Sequence, residues 1–170
     1  PGRESDTSVS GWMVTALESG RRAGLEVPDE ALEKATSWLN RAQDPDQHYL
    51  YRYNPFAPDT EKQGHHRVAS KTMTSVGLLM RLYRGWKVSD PRAIEGAEYL
   101  KKHLPSIGRT KSGSQRDTYY WYYATQFMFH MGGDYWKAWN DRLYPILLNS
   151  QITRGDLAGS WDPRLPVPDR

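Results

Sequence analysis

The sequence predicts an all-α domain of three helical hairpins, and three observations predict it. Apolar residues recur at helical spacing in six stretches, in four cases opened by capping residues or proline and in three closed near a glycine. A seam motif occurs twice. Lys34-Ala35-Thr36-Ser37-Trp38-Leu39-Asn40-Arg41-Ala42-Gln43 is followed by Tyr53-Asn54-Pro55 ten residues past the glutamine, and Ile146-Leu147-Leu148-Asn149-Ser150-Gln151 by Trp161-Asp162-Pro163 at the same distance. Finally, no stretch reads as a β-strand. The hairpins fall at about 6–43, 72–104 and 117–151 within a repeat domain of residues 1–163, and 164–170 form an irregular, proline-rich tail.

Asp6-Thr7 caps a first helix whose apolar positions Val9, Trp12, Met13, Ala16 and Leu17 share one face, with Gly20 placed to end it. Pro28, Asp29 and Glu30 open a second, burying Ala31, Leu32, Ala35, Trp38, Leu39 and Ala42. Residues 44–70 are an irregular segment broken by Pro45, Pro55, Pro58 and Gly64, and loops of this length are often functional. The third helix carries Met73, Val76, Leu79, Met80 and Tyr83, with Gly85 near its end. Ser89-Asp90-Pro91 starts a fourth, with Ala93, Ile94, Ala97, Leu100 and Leu104 inward. Arg109–Arg116 is polar and exposed. Asp117-Thr118 opens a fifth helix closed by Gly132-Gly133, and a sixth carries Trp136, Trp139, Leu143, Ile146 and Leu147 with a bend at Pro145.

The units overlay as repeats of helix, glycine turn, helix, long loop. Asp6-Thr7 matches Asp117-Thr118, Gly11 matches Gly77, and Lys34 to Leu39 matches Glu95 to Leu100. The middle unit is degenerate, with Leu104 where the others carry glutamine.

Composition removes several classes of function. With no cysteine, disulfides, thiolate zinc sites and a cysteine nucleophile are excluded. Net charge is +3, and the densest basic runs, Arg21-Arg22 and Lys101-Lys102-His103, lack the interleaved aromatics of a nucleic-acid platform. No run approaches the roughly 18 apolar residues of a membrane span, and no compartment is assigned. Seven Trp and 11 Tyr against three Phe favour rings with a polar tip, suited to half-wet pocket walls as well as cores. Pro1 at the start and the irregular tail lead to the expectation that this is a piece of a longer protein.

The seam resembles the QW motif of the terpenoid cyclase and protein prenyltransferase superfamily, and most of all the prenyltransferase/squalene-oxidase repeat regions of large bacterial proteins. Lys34-Ala35, Trp38-Leu39 and Gln43 fit the first half of that motif; Gln151 with Gly159-Ser160-Trp161 fits the second, with a longer spacer. The resemblance implies that the hairpins form part or all of an α/α toroid, with inner-helix N-termini facing a central cavity. It further implies that Gln43 and Gln151 bond helix-end backbone while Tyr53 and Trp161 pack on a neighbouring hairpin. Superfamily catalytic motifs are missing: the Asp-rich acid motif aligns with Arg3-Glu4-Ser5-Asp6-Thr7, and the zinc and thioester sites each need a cysteine.

Candidate chemistry is confined to three places. Tyr119-Tyr120-Trp121-Tyr122-Tyr123 puts aromatic faces on an inner helix, fit for a hydrophobic or sugar-like ligand or for wedging helices apart. His65-His66-Arg67, with Lys71, could meet an anion at a helix N-terminus, or be a solvated loop. Asp6 and Asp117, at equivalent positions, could converge as an acid/base pair or serve only as caps. No metal site or cofactor is expected. The reading that follows is a non-catalytic binding or scaffolding domain joined to other domains of a larger protein. The alternative is an enzyme acting on a polyprenyl or polysaccharide substrate in the cavity.

Overall fold

Six α-helices pair in chain order: α1 (Thr7–Arg22) with α2 (Asp29–Ala42), α3 (Lys71–Tyr83) with α4 (Pro91–Lys101), and α5 (Thr118–Met131) with α6 (Gly133–Ser150). The computed structural model describes residues 6–107, 109–110, 113–114 and 117–161. Arg3 to Ser5, Asp162-Pro163 and the 164–170 tail lie outside the described residues. The all-α class holds. Among the described residues a two-residue antiparallel ladder, β1 (Arg109–Thr110) with β2 (Gly113–Ser114), lies inside the polar segment 109–116, where no strand was expected.

The helix starts follow their capping chemistry. Asp6, Ser70, Asp90 and Asp117 each accept a backbone N–H of the first turn, while Pro28 precedes the acidic first turn of α2. Gly20 does not end α1, which runs on to Arg22. The terminator is Gly24 at φ 80°: its N–H donates to Arg21 O and the Leu25 N–H to Gly20 O, a Schellman motif. Gly85 at φ 99° ends α3 in the same way, with Gly85 N–H to Leu82 O and Trp86 N–H to Arg81 O. α6 continues as one helix through Pro145.

α3 lies at the centre. Nine consecutive residues, Met73 to Arg81, are buried, because α1 and α5 flank the helix and α4 packs behind it. The predicted inward face of α1 is reversed. Thr7, Gly11, Val14 and Glu18 are buried, and Val9, Trp12, Met13 and Ala16 face out. Contact distance and polar satisfaction decide this: a Cβ on Gly11 would sit 2.6 Å from Val76 Cγ1, so only glycine admits α3 so closely. Thr7 Oγ1 donates to Arg52 O (2.6 Å), and Glu18 pairs with Arg84 (2.8 Å), so the polar members of that face are matched. On α4, Gly96 replaces Ile94 in the interface for the same steric reason, its position lying against Leu78.

The seam is built differently from its expectation. The Gln43 side chain donates to His48 O, and that of Gln151 to Gly159 O (2.8 Å), so both tie the following loop rather than a helix end. The helix-end carbonyls are met by other donors. Arg52 bonds Arg41 O (2.9 Å) and Gln43 O (2.5 Å) after α2, and Trp161 Nε1 bonds Leu147 O (2.9 Å) after α6. Tyr53 packs at the start of α1 in its own hairpin, its carbonyl accepting the Thr7 N–H (2.9 Å).

Tyr51 locks the 44–70 segment onto α3. Its N–H donates to Thr74 Oγ1 (3.1 Å), its carbonyl accepts from the Ser70 N–H (3.1 Å), and its hydroxyl accepts from Arg81 Nε (3.0 Å). The ring lies on Gly77, where a Cβ would come within 2.3 Å of it. Replacing Gly77 with Ala is therefore expected to destabilise the protein by about 1–3 kcal/mol through overpacking. Urea unfolding measures this, and an unchanged midpoint would contradict the contact.

Candidate functional site

The N-termini of α1, α3 and α5 meet at one end of the molecule, because each of these helices starts at a capped turn on the same side. The caps are cross-linked. Asp117 accepts the Tyr120 N–H (2.8 Å) through Oδ1 and Thr72 Oγ1 (2.5 Å) through Oδ2, joining α5 to α3. Asp6 accepts Ser8 Oγ (2.6 Å) and the Val9 N–H (2.8 Å) through Oδ1, and the Tyr53 hydroxyl (2.8 Å) through Oδ2. The Tyr119 hydroxyl reaches Ser8 O (3.4 Å), joining α5 to α1.

Over these termini the loop folds as a wall, the Asn54 N–H donating to His66 O (3.0 Å) beside the 3-10 turn Gly64–Arg67. The result is an open pocket of about 660 Å³ bounded by Ser8, Tyr53, His65, His66, Ser70, Thr72, Asp117 and Tyr119, with Val68 and Met73 as its aliphatic members. The His66 ring lies 4.7 Å from that of Tyr53, tilted, and 4.1 Å from that of His65, edge-on, so the wall is a short aromatic cluster.

Of the sequence candidates, His65, His66, Asp117 and Tyr119 line this pocket, and Asp6 stands behind it through Tyr53. Arg67 does not join them; it faces Asp59 at 3.4 Å. Lys71 lies over the Tyr120 ring at 4.9 Å, so the imagined His-Arg-Lys anion cluster is dispersed. The five-aromatic run divides. Tyr120, Trp121 and Tyr123 are core residues, Tyr120 donating to His103 O (2.8 Å) and stacking edge-on against Trp139. Tyr123 is buried with a hydroxyl that has no hydrogen bond among the described residues. Tyr122 is 48% exposed and stacks on the 51% exposed Trp12 with centroids 5.9 Å apart and an interplanar angle of 20°. Trp12 also lies 6.5 Å from Tyr119, so this shelf is continuous with the pocket.

Electrostatics disfavours proton transfer by Asp6. Burial pushes its carboxyl up, but hydrogen bonds from Ser8, Val9 and Tyr53 outweigh that and hold it below its ordinary value. The Tyr119 hydroxyl is raised by burial and by the charges of Asp6 and Asp117, which leaves it a neutral donor at physiological pH. Among the described residues no group of three or more His, Asp or Glu is placed to hold a metal ion.

Trp12, Ser70 and Tyr53, with Ser8, Thr72, Val68 and Met73, are site residues that the sequence reading did not assign to ligand contact. Ser70 had a legible signal, since it caps α3 as Asp6 and Asp117 cap α1 and α5. Trp12 had none, because its spacing placed it on the inward face. Compared with known protein families, curated proteins and solved structures, the chain matches none.

Replacing Asp6 with Ala removes the cap and the Tyr53 tie, for an expected loss of about 1 kcal/mol in urea unfolding at neutral pH. Because the folded-state carboxyl is held low, Asp6 contributes fully above the unfolded value of about 3.9. That contribution disappears as pH falls through the lower folded value. A wild-type advantage that grew on acidification would contradict this assignment.

Proposed function

We propose that this chain is a non-catalytic binding or scaffolding domain of the squalene cyclase/prenyltransferase-like type, holding a sugar-like ligand in the pocket at the inner-helix N-termini. One observation carries the reading: half-buried ring faces of Tyr53, His66 and Tyr119 share an open pocket with Asp117, Ser70 and Thr72, and run on into the Trp12–Tyr122 shelf. Flat rings cover the apolar faces of a pyranose while hydroxyl and carboxylate groups meet its edge. A polyprenyl chain would instead call for an enclosed apolar channel, and this pocket is open with a polar rim. Binding is favoured over catalysis because both carboxylates are already engaged. Each accepts hydrogen bonds at both oxygens, from groups that fix helix starts.

Titration with a panel of neutral and acidic oligosaccharides, followed by tryptophan fluorescence and amide chemical shifts, tests the reading. Trp12→Ala and Tyr122→Ala are expected to weaken binding by roughly tenfold each. The melting temperature should move by only about 2 °C, since both rings are half exposed. No perturbation by any glycan, or full binding by Trp12→Ala, would sink the reading; a large loss of stability would make those rings structural.

A further inference from the structure

The stripe of α3 that Tyr51 covers has a counterpart on α1 that lines an open groove. Gly11 faces Val76 and Gly77 faces Tyr51, so the sequence match of these two glycines does not hold in space; in the register set by the N-caps Asp6 and Ser70, the stripe Ser70, Thr74, Gly77 and Arg81 corresponds to Asp6, Ser10, Met13 and Leu17. Those four line, with Ala31 and Ala35 of α2, a groove of about 350 Å³ on the outward side of the first hairpin. Met13 is 58% exposed there. On α3 the equivalent surface is filled by the loop that follows the previous hairpin.

The other end of the molecule carries the matching half. The register of Gln43 and Gln151 places Thr36, Leu39 and Asn40 of α2 over Tyr144, Leu147 and Leu148 of α6. In α2 these positions meet the next hairpin: Asn40 accepts from Arg81 (2.7 Å), Thr36 from Arg84 (3.3 Å), and Leu39 is 0% exposed. In α6, Tyr144 and Leu148 are exposed and Leu147 is 37% exposed. The loop after α6 closes as the loop after α2 does, by Ile152 N–H to Ser160 O (2.9 Å) where the first has Asp44 N–H to Leu50 O (2.9 Å). It presents Leu157 and Trp161, both exposed, near the place of Tyr51.

The chemistry of the two free faces has changed in step. At the internal seam, Arg81 meets Asn40. At the free faces the same positions hold Leu17 and Leu148, so a polar pair has become an apolar pair. Counting instead from the helix-ending glycines Gly24 and Gly85 puts Gly20 in place of Arg81, again without charge.

We propose that these faces are the two halves of one interface, and that a second copy of this chain docks its α6 and 151–161 loop into the α1–α2 groove of the first. The contact is head-to-tail and repeats the seam between hairpins, so each copy keeps one face of each kind. It shares no lining residue with the pocket at His66 and Tyr119, Asp6 standing between the two through Tyr53.

Sedimentation velocity of the 170-residue chain over about two decades of concentration tests this. The mass is expected to rise above the monomer's with concentration. Met13→Asp blocks the groove and Leu148→Asp the α6 face, each weakening association by about tenfold or more. Mixed in equal amounts, the two variants regain a 1:1 complex that grows no further, because only one intact face of each kind can meet. Val9→Asp with Leu147→Asp repeats the pattern, and circular dichroism of each exposed-site variant confirms folding. A wild-type chain that stays monomeric, association indifferent to either variant, or a mixture no better than its components would each overturn the proposal.

Discussion

The attachment of Tyr51 to one stripe of α3 is the contact on which the rest is arranged. Ser70, Thr74, Gly77 and Arg81 follow one another at the spacing that aligns residues along a helix, and Tyr51 uses backbone N–H, carbonyl, ring and hydroxyl to engage all four. Arg81 is buried, and its charge is met by Tyr51 Oη, Asn40 Oδ1 and the faces of Tyr51 and Trp86. Removing the tyrosine would leave that guanidinium short of an acceptor in a place water does not reach. Burial pushes the Tyr51 hydroxyl up, opposed by Arg81, so it stays an acceptor with its proton in place.

From that attachment the site follows. Once residue 51 is fixed on α3, the chain on either side is steered across the N-termini of α1, α3 and α5, and Tyr53 and His66 become the pocket wall. The same groups serve fold and site. Asp6 and Asp117 offset the positive ends of α1 and α5 while forming the polar back and rim of the pocket. Both carboxylates are thereby committed to the helix starts.

Six helices and the N-caps Asp6, Asp90 and Asp117 were legible because they depend on local signals: an Asp before an apolar run, a proline at a first turn, a glycine past the end. The inward face of α1 was not, because its periodicity is real but marks the face turned away from α3. Close approach at Gly11 and the matched pairs of Thr7 and Glu18 overrode it. The partner of Gln43 was misjudged for a similar reason. Arg52, nine residues on, takes the helix-end carbonyls first, and no spacing rule singles out an arginine in a loop. Within the pocket, Asp117, Tyr119 and the two histidines were legible as residue types, but their convergence needed the Tyr51 contact, which joins chain positions no local pattern connects.

The separations along the chain of these contacts say where its conformational freedom is surrendered. Tyr51 meets Thr74 and Arg81 across 23 and 30 residues, whereas Tyr119 meets Ser8 across 111. Closing the longer loop costs about 1.4 kcal/mol more than closing the shortest, by the logarithmic dependence on length. The first two hairpins can therefore join at little entropic cost, and the aromatic contact between α1 and α5 is the costly closure, made least so once α3 already holds the two helices side by side. A chain emerging from its N-terminus meets these closures in the same order.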